Sequence, residues 1–424
     1  MTDLPIVKFS DVAELAGGYA FKSEQYKTSG HFVLRTLNIR DDYSITRDNG
    51  VFISKHEASS FSRFALREHD TLFVMVGATL GKIGYVRTQD LPALLNQNMW
   101  VIRALPNKID PIFLHYCFRE ISKIPLEWVS GSARGFLRRD DIRNLAFGLP
   151  PLAVQRALGD MLQSLDDKIE LNRRMNETLE AMARAIFQDW FVTFGPTRAK
   201  MEGRPAYLAP DLWSLFPDRL DTEGKPEGWR EVPLDQIADF LNGLALQKYP
   251  GTDDDDLPVI KIAELRAGVA TGNDRASRSI PLQYVVEDGD VLFSWSGSLL
   301  QRIWTGGRGA LNQHLFKVTS KQWPKWLHYL WVDHHLPNFQ AIAASKATTM
   351  GHIQRHHLSE AMTVIGSPDV MAAANVLISP LLDRYLANSR EARTLATTRD
   401  LLLPRLMSGE LRVRDFQDNL QRAE

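Results

Sequence analysis

Residues 131–143 read GSARGFLRRDDIR and place Arg134, Arg138, Arg139 and Arg143 in one short glycine-containing segment. Guanidinium groups at this density grip phosphate oxygens or read guanine edges. Residues 346–355, KATTMGHIQR, offer a different set: Lys346, Thr348, Thr349, His352, Gln354 and Arg355. Threonine, glutamine and arginine are side chains that read base edges. The plain alternative for both segments is a solvated turn ahead of a strand. Lys82 closes GATLGK, residues 77–82, which has the outline of a phosphate loop. It is one residue short, and Ile83 stands where Ser or Thr must hold magnesium. Lys82 is therefore kept as a nucleic-acid contact, not a nucleotide ligand. Residues 217–225, PDRLDTEGK, carry Asp218, Glu223 and Lys225 in the acid-acid-lysine order of metal-dependent nucleases. That chemistry needs the second acid and the lysine on a buried strand, converging on one ion. Here they lie in a polar stretch without apolar alternation, so a nuclease is the rival reading. Seven of the eleven histidines fall between His314 and His357. The adjacent pairs, 334–335 and 356–357, point apart and make a poor chelate. The four aspartates 253–256 lack the alternate spacing of a calcium loop. No G-x-S-x-G turn, adenine-methyltransferase tetrapeptide or glycine-rich cofactor loop occurs. We expect no catalytic residue and no metal ligand.

Composition sets the frame around these residues. A chain of 424 residues suits two or three domains. Its 44% hydrophobic and 24% charged content is that of a globular protein. Net charge is −1, so any nucleic-acid contact must come from a local basic face. The single cysteine, Cys117, excludes an internal disulfide. The start, MTDLPIVKFSDV, has no signal-like pattern, and no run of ~18 uninterrupted apolar residues exists. The expected location is the cytoplasm, with no membrane partner.

The chain repeats itself. DTLFVMVG at 70–77 returns as DVLFSWSG at 290–297. LNQ at 95–97 returns at 311–313, and at that same spacing 131–139 meets 347–355. Upstream, VKFSDVAELAGGYAF from Val7 resembles VPLDQIADFLNGLAL from Val232. A shared order at nearly constant offset indicates two diverged copies of one mixed α/β domain. Short β-rich runs such as TLFVMVG sit between Gly, Pro and Asp turns, with helical segments such as Asp110–Ile121 intervening.

Each copy runs on into a helix. Apolar residues fall at Leu158, Leu162, Leu165, Ile169, Leu179, Ala183, Ile186 and Trp190, with Asn172 and Asn176 interrupting. The later helix gives Leu381, Tyr385, Asn388, Ala392, Leu395, Arg399, Leu402 and Leu406. Steps of four and three alternate in both, as in a coiled-coil seam. Asn172 and Asn388 keep the spacing that separates the two LNQ copies. The two helices are expected to pair, with these asparagines fixing register at a cost in stability. Phe187, Trp190, Phe191 and Phe194 close the first helix as a patch facing either a partner or the connector. That connector, 195–228, is rich in Pro and Gly yet carries Tyr207, Trp213 and Phe216.

Residues 149–191, LPPLAVQRALGDMLQSLDDKIELNRRMNETLEAMARAIFQDWF, closely resemble the central region of specificity subunits of type I restriction–modification enzymes. So do LLLPRLMSGELRV at 401–413 and AYLAPDLWSLFPDRL followed by PEGWREVPL in the connector. The second helix departs from the family pattern, since SPDVMAAANVLISPLLDRY lacks a counterpart of LPPLAVQ. The resemblance implies an α+β chain in which two target-recognition domains are separated by two long helices paired as an antiparallel coiled coil. The divisions are 1–148 and 229–366 for recognition, 149–194 and 367–424 for the helices, and 195–228 for the connector. It further implies a two-part site on double-stranded DNA, two docked methyltransferase subunits and ATP-driven restriction subunits. The chain itself would carry no cofactor; S-adenosylmethionine, ATP and Mg would sit on the partners. Helix length would act as a ruler for the gap between half-sites. The DNA candidates are Lys82, Arg134, Arg138 and Arg139 in the first copy, and Lys346, Thr348, Thr349, Gln354 and Arg355 in the second. The helix-pairing candidates are Leu165, Ile169, Asn172, Leu179, Ile186, Tyr385, Asn388, Leu395 and Leu402. The rivals are the nuclease above and a scaffold that bridges proteins through its helices.

Overall fold

A computed structural model describes residues 4–130, 136–253, 255–272, 274–345 and 351–411. The chain divides into two units, one of Met1–Lys168 with Leu395–Glu424, the other of Ile169–Thr394. Arg134, Lys346, Thr348 and Thr349 lie outside the described residues.

In the first unit the apolar run Thr71–Val74 is buried along its whole length, because strands flank it on both sides. It is the third strand of a four-stranded antiparallel sheet. The order is Ala13–Gly17, Met99–Ala104, Thr71–Val74, Ile83–Tyr85. A three-stranded sheet follows the order Val51–Ile53, His31–Leu34, Ala93–Leu95, and its last pair is parallel. Ile6–Lys8 pairs with Ala146–Gly148 and closes the module.

The second unit repeats this plan. Asp239–Asn242, Leu315–Thr319, Val291–Ser294 and Gln301–Ile303 form the antiparallel sheet in the same order. Leu257–Ile260 lies parallel to Gly309–Leu311, as His31–Leu34 does to Ala93–Leu95. Val285–Val286 adds one strand to that second sheet. Arg230–Pro233 pairs with Met362–Ile365. The two-copy reading therefore holds at the level of strand order and pairing direction.

A helix follows each sheet. Pro111–Ile121 starts with proline in its first turn, and the Asp110 carboxylate accepts the N–H groups of Ile112 and Phe113 at 3.0 Å. Its second-unit counterpart is Lys325–Ser345. Leu114-His115-Tyr116 in one recurs as Leu327-His328-Tyr329 in the other, and both histidines are buried. Burial, and then the charge of Lys325, hold His328 down to about 4. An unfolded chain takes up that proton near 6.5, whereas the folded chain resists until about 4. This group's stabilisation is complete above the ordinary histidine range and is lost as pH falls through that window. Urea midpoints of the intact chain should therefore fall between pH 7.5 and 5. The H328Q variant should flatten that dependence, and an unchanged slope would rule out His328 as its source.

The first long helix, Leu152–Phe187, runs into a π-helical turn at Gln188–Val192. The second is Pro368–Met407. By length and composition this second helix is apolar enough to cross a membrane, but Asp383, Arg384, Arg390, Arg393, Arg399 and Asp400 interrupt it. In the first unit Leu158 and Leu162 share one buried cluster with Leu403 and Leu406. In the second, Asn172 donates to Glu391 Oε2 at 2.9 Å and Asn176 to Ser389 Oγ at 2.8 Å. Asn388 donates to Asn176 Oδ1 at 3.0 Å. Numbers rise on one helix as they fall on the other, so the pairing is antiparallel.

The seam positions differ in depth. Leu165, Ile169, Leu179 and Leu395 are half-buried. Ile186 and Tyr385 pack against the second unit's core, and Leu402 against the first unit's. Of these pairing candidates Asn172 and Asn388 are the deepest, at 0% and 1% exposure, and among the described residues the Oδ1 of each has no partner. They do not bond each other; Asn388 meets Asn176 instead. A buried acceptor without a donor costs about 1–3 kcal/mol. The N172L/N388L double variant should raise the thermal midpoint and loosen register, read as faster amide exchange along both helices. A lowered midpoint would refute the register role.

The aromatic end of the first helix is core, not a partner-facing patch. Phe187, Trp190, Phe191 and Phe194 are buried with Phe216, Trp229 and Trp326. Trp190 meets Phe216 edge-on at 4.9 Å, and Phe191 lies 5.5 Å from Trp326. The connector thus closes over the helix end, and Tyr207 donates to Asp189 at 2.9 Å.

Candidate nucleic-acid interface

In each unit two segments far apart in sequence are joined beside the central strand. In the first, Val76 forms an antiparallel bridge with Phe136, and Leu137 N–H donates to Met75 O at 3.3 Å. In the second, Ser296 bridges His352, and Ile353 N–H donates to Trp295 O at 3.0 Å. A third loop joins from the neighbouring strand: Met75 N–H bonds Asn98 O at 3.1 Å, and Trp295 N–H bonds His314 O at 3.4 Å. The fold therefore presents one three-loop edge per unit, built from the same backbone contacts.

The side chains on that edge differ between copies. The first unit offers Met75, Val76, Gln97, Asn98 and Phe136, and Val76 and Phe136 are exposed despite being apolar. The second offers Trp295, Ser296, Gln313, His314 and His352. Trp295 is held by two acceptors, Asn242 Oδ1 at 2.9 Å and Gln313 O at 3.1 Å. His314 Nδ1 lies 2.9 Å from Ser296 Oγ, and its ring is 6.0 Å from Trp295. The His352 ring meets Trp295 edge-on at 6.3 Å. Beside this edge a cleft of about 290 Å³ opens between Gly297, Ser298, Gln340 and Gly351. The second edge is thus rich in imidazole and amide hydrogen-bonding groups, the first in apolar surface.

The sequence candidates fall around these edges. Arg138 is exposed at the start of the short helix Arg139–Arg143, where its backbone N–H donates to Asp141 at 2.8 Å. Gln354 occupies the equivalent place before Arg355–Glu360, with its N–H on His357 Nδ1 at 2.9 Å. Arg139 and Arg355 hold matching places in the two copies, and each leans on the first strand of its own sheet. A Cβ at Gly17 would stand 2.9 Å from the Arg139 guanidinium. Arg355 donates to Phe240 O at 3.3 Å and lies over the Phe316 ring at 5.8 Å. Both arginines are exposed, and Arg355 is tied to its own sheet by that bond to Phe240 O. Lys82 pairs with the exposed Asp41 at 2.8 Å. Such a surface pair is weak, and phosphate can replace it. Ile83 is buried in a strand, in keeping with Lys82 as a lone cation and not part of a nucleotide loop.

Sequence reasoning missed Trp295, Ser296, Gln313 and His314, and their first-unit counterparts. The repeated LNQ was the available signal, since its last residue and the one after it sit on the edge in both copies.

The rival chemistry does not assemble. Lys225 turns to Asp221 at 2.8 Å and to Glu223, while Asp218 and Glu223 are exposed. Donor atoms of His356, His357 and Glu360 lie within 4.8 Å of one another. His357 Nδ1 accepts the Gln354 N–H, so the neutral ring carries its proton on Nε2 and offers no lone pair there.

Residues 1–181 match the family model of the type I restriction modification DNA specificity domain. The chain is 22% identical to the type I restriction enzyme MjaIX specificity subunit of Methanocaldococcus jannaschii, over 98% of this chain and 95% of that one. It is 24% identical to the HindI specificity subunit of Haemophilus influenzae, over 64% and 70% respectively. The crystal structure of a type I restriction–modification system S subunit from M. genitalium superimposes with a TM-score of 0.54 and 13% identity. That match covers 96% of this chain and 97% of the other.

Proposed function

We propose that this member of the type I restriction–modification specificity family uses its two units to read the two halves of a split site on double-stranded DNA. One observation carries the reading: the same three-loop edge occurs twice, on the same backbone contacts, with different side chains. Two readers of identical build and unlike chemistry are what a two-part, non-palindromic target requires. Affinity comes from lysine and arginine contacts to phosphate and falls with salt. Sequence choice comes from the edge residues, at about 1–3 kcal/mol per good base contact.

The chain selects and does not cut or methylate. Two methyltransferase subunits dock on the paired helices, and restriction subunits dock outside them, all in the cytoplasm. S-adenosylmethionine, ATP and Mg belong to those partners. The antiparallel helices set the gap between half-sites.

Single-molecule sequencing of native DNA, from a strain with this gene and from its deletion, tests the proposal. N6-methyladenine at a two-part motif, present with the gene and absent without it, is the expected result. Unchanged methylation, in a strain where the chain still captures a methyltransferase subunit, would overturn it.

A further inference from the structure

The second long helix carries an arginine where its seam asks for an apolar residue. Arg399 follows Leu395 by four and precedes Leu402 by three, and it is buried. Desolvating a guanidinium is expensive unless its bonds are made. Here they reach across the first unit. Arg399 forms an ion pair with Asp166 of the first long helix, and a second with Asp400 at 2.8 Å. The same Asp166 accepts the phenol of Tyr116 at 2.7 Å. Arg119 lies 3.6 Å from Asp166 and 3.2 Å from Asp400. Tyr116 and Arg119 belong to Pro111–Ile121, in the globular part of the unit. Both guanidiniums lie over the Tyr43 ring, at 3.9 Å for Arg119 and 5.6 Å for Arg399. Tyr43 stands in the loop between the strands His31–Leu34 and Val51–Ile53, at a positive φ of 69°.

Two long helices, one globular helix and one loop thus converge on a single charge-balanced cluster of two arginines and two aspartates. A hydrophobic contact tolerates sliding, whereas interlocked ion pairs and ring faces demand one geometry. The second unit holds its helices differently. Arg393 meets Asp288 at 2.5 Å and Arg184 meets Asp333 at 3.0 Å, with both arginines substantially exposed.

We propose that Arg399, through Asp166, Arg119 and Tyr43, is a positioning residue that fixes the recognition module of the first unit on the helix pair. It thereby restricts the target to one gap length. It touches no base. This inference rests on the split-site reading above.

The test uses the complete chain expressed with its partner subunits, and reads the methylated motif by single-molecule sequencing. R399M keeps the apolar stem and removes the charge. D166N/R399Q removes both charges of the pair, so it leaves no lone buried ion between them and carries the test should R399M fail to fold. The expected result is methylation of the same half-site bases at gaps one base pair longer or shorter, at least tenfold above the wild-type background. Full methylation at a single unchanged gap in both variants would overturn the proposal. So would uniform loss at all gaps in a soluble, assembled D166N/R399Q complex. Absence of gene-dependent two-part methylation in the wild type would instead remove the reading beneath it.

Discussion

Replacing Gln313 and His314 together by alanine should erase sequence preference at one half of the target and leave the other half intact. Both residues sit on the second unit's edge, half-buried, beside the Trp295 ring. Gln313 contributes an amide able to pair with adenine, and His314 an imidazole held by Ser296. Two lost base contacts cost roughly 2–6 kcal/mol, or about 30- to 10⁴-fold in affinity for the cognate duplex. The salt dependence should change little, because neither group neutralises a phosphate. Anisotropy titrations of the assembled complex against duplexes altered in one half at a time provide the measurement. The reciprocal variant is Q97A/N98G, which keeps a residue suited to the positive φ of 71° at position 98. It should affect the opposite half. Equal loss at both halves from either variant would dismiss separate readers.

Much of this architecture is legible in the sequence, for reasons particular to it. The buried central strands demand a run such as TLFV or VLFS, and the turn that follows each needs glycine. Those segments therefore survive divergence and reveal the repeat. The spacing between copies narrows along the chain, from Val7 and Val232, through Asp70 and Asp290, to Leu95 and Leu311, because the connecting loops differ in length. Leu114-His115-Tyr116 and Leu327-His328-Tyr329 stand closer still: the first lies in the segment 110–121 that reads as helical in the sequence, and its match to the second emerges only from the structure. Heptad spacing locates the helix seam, yet it ranks Leu165 and Asn172 alike. Depth depends on what else packs there, and Asn172 and Asn388 prove deeper than Leu165, Leu179 and Leu395. The aromatic end of the first helix is similarly ambiguous in one dimension. Its burial needs Phe216, Trp229 and Trp326, which come from the connector and from the far side of the second unit.

The interface was harder to read than the fold. Arginine density pointed to residues 131–143. Arg138 and Arg139 are both exposed there, while Arg355, the counterpart of Arg139, is bonded to Phe240 O of its own sheet. The edge residues emerge only when residues 76, 98 and 136, or 296, 314 and 352, are brought together by non-local bridges. No local pattern encodes that meeting.

The largest stability effect expected of a single polar substitution is at Asp166. D166A removes the one carboxylate shared by Arg399, Arg119 and Tyr116, leaving two buried guanidiniums with only the exposed Asp400 between them. The side chains of Arg119 and Arg399 are 3% and 7% exposed, so water cannot replace the lost partner. Breaking a buried pair in this way costs about 3–5 kcal/mol. In a unit of this size each kcal/mol moves the midpoint by about 2–4 °C, so the first unit's transition should fall by about 6–20 °C. D166N/R399Q should cost less than D166A alone, since it leaves one buried guanidinium instead of two. D288A in the second unit makes the useful contrast. Its partner Arg393 has 38% of its side chain exposed, so solvent takes up part of the charge. The loss there should be smaller and should shrink further in high salt, whereas the D166A loss should not. Calorimetry of the intact chain at low and high salt separates the two. Equal, salt-sensitive losses at both sites would mean that the Asp166 cluster is an ordinary surface network. A deep, salt-insensitive loss at Asp166 alone would identify it as the joint on which the first unit's geometry depends.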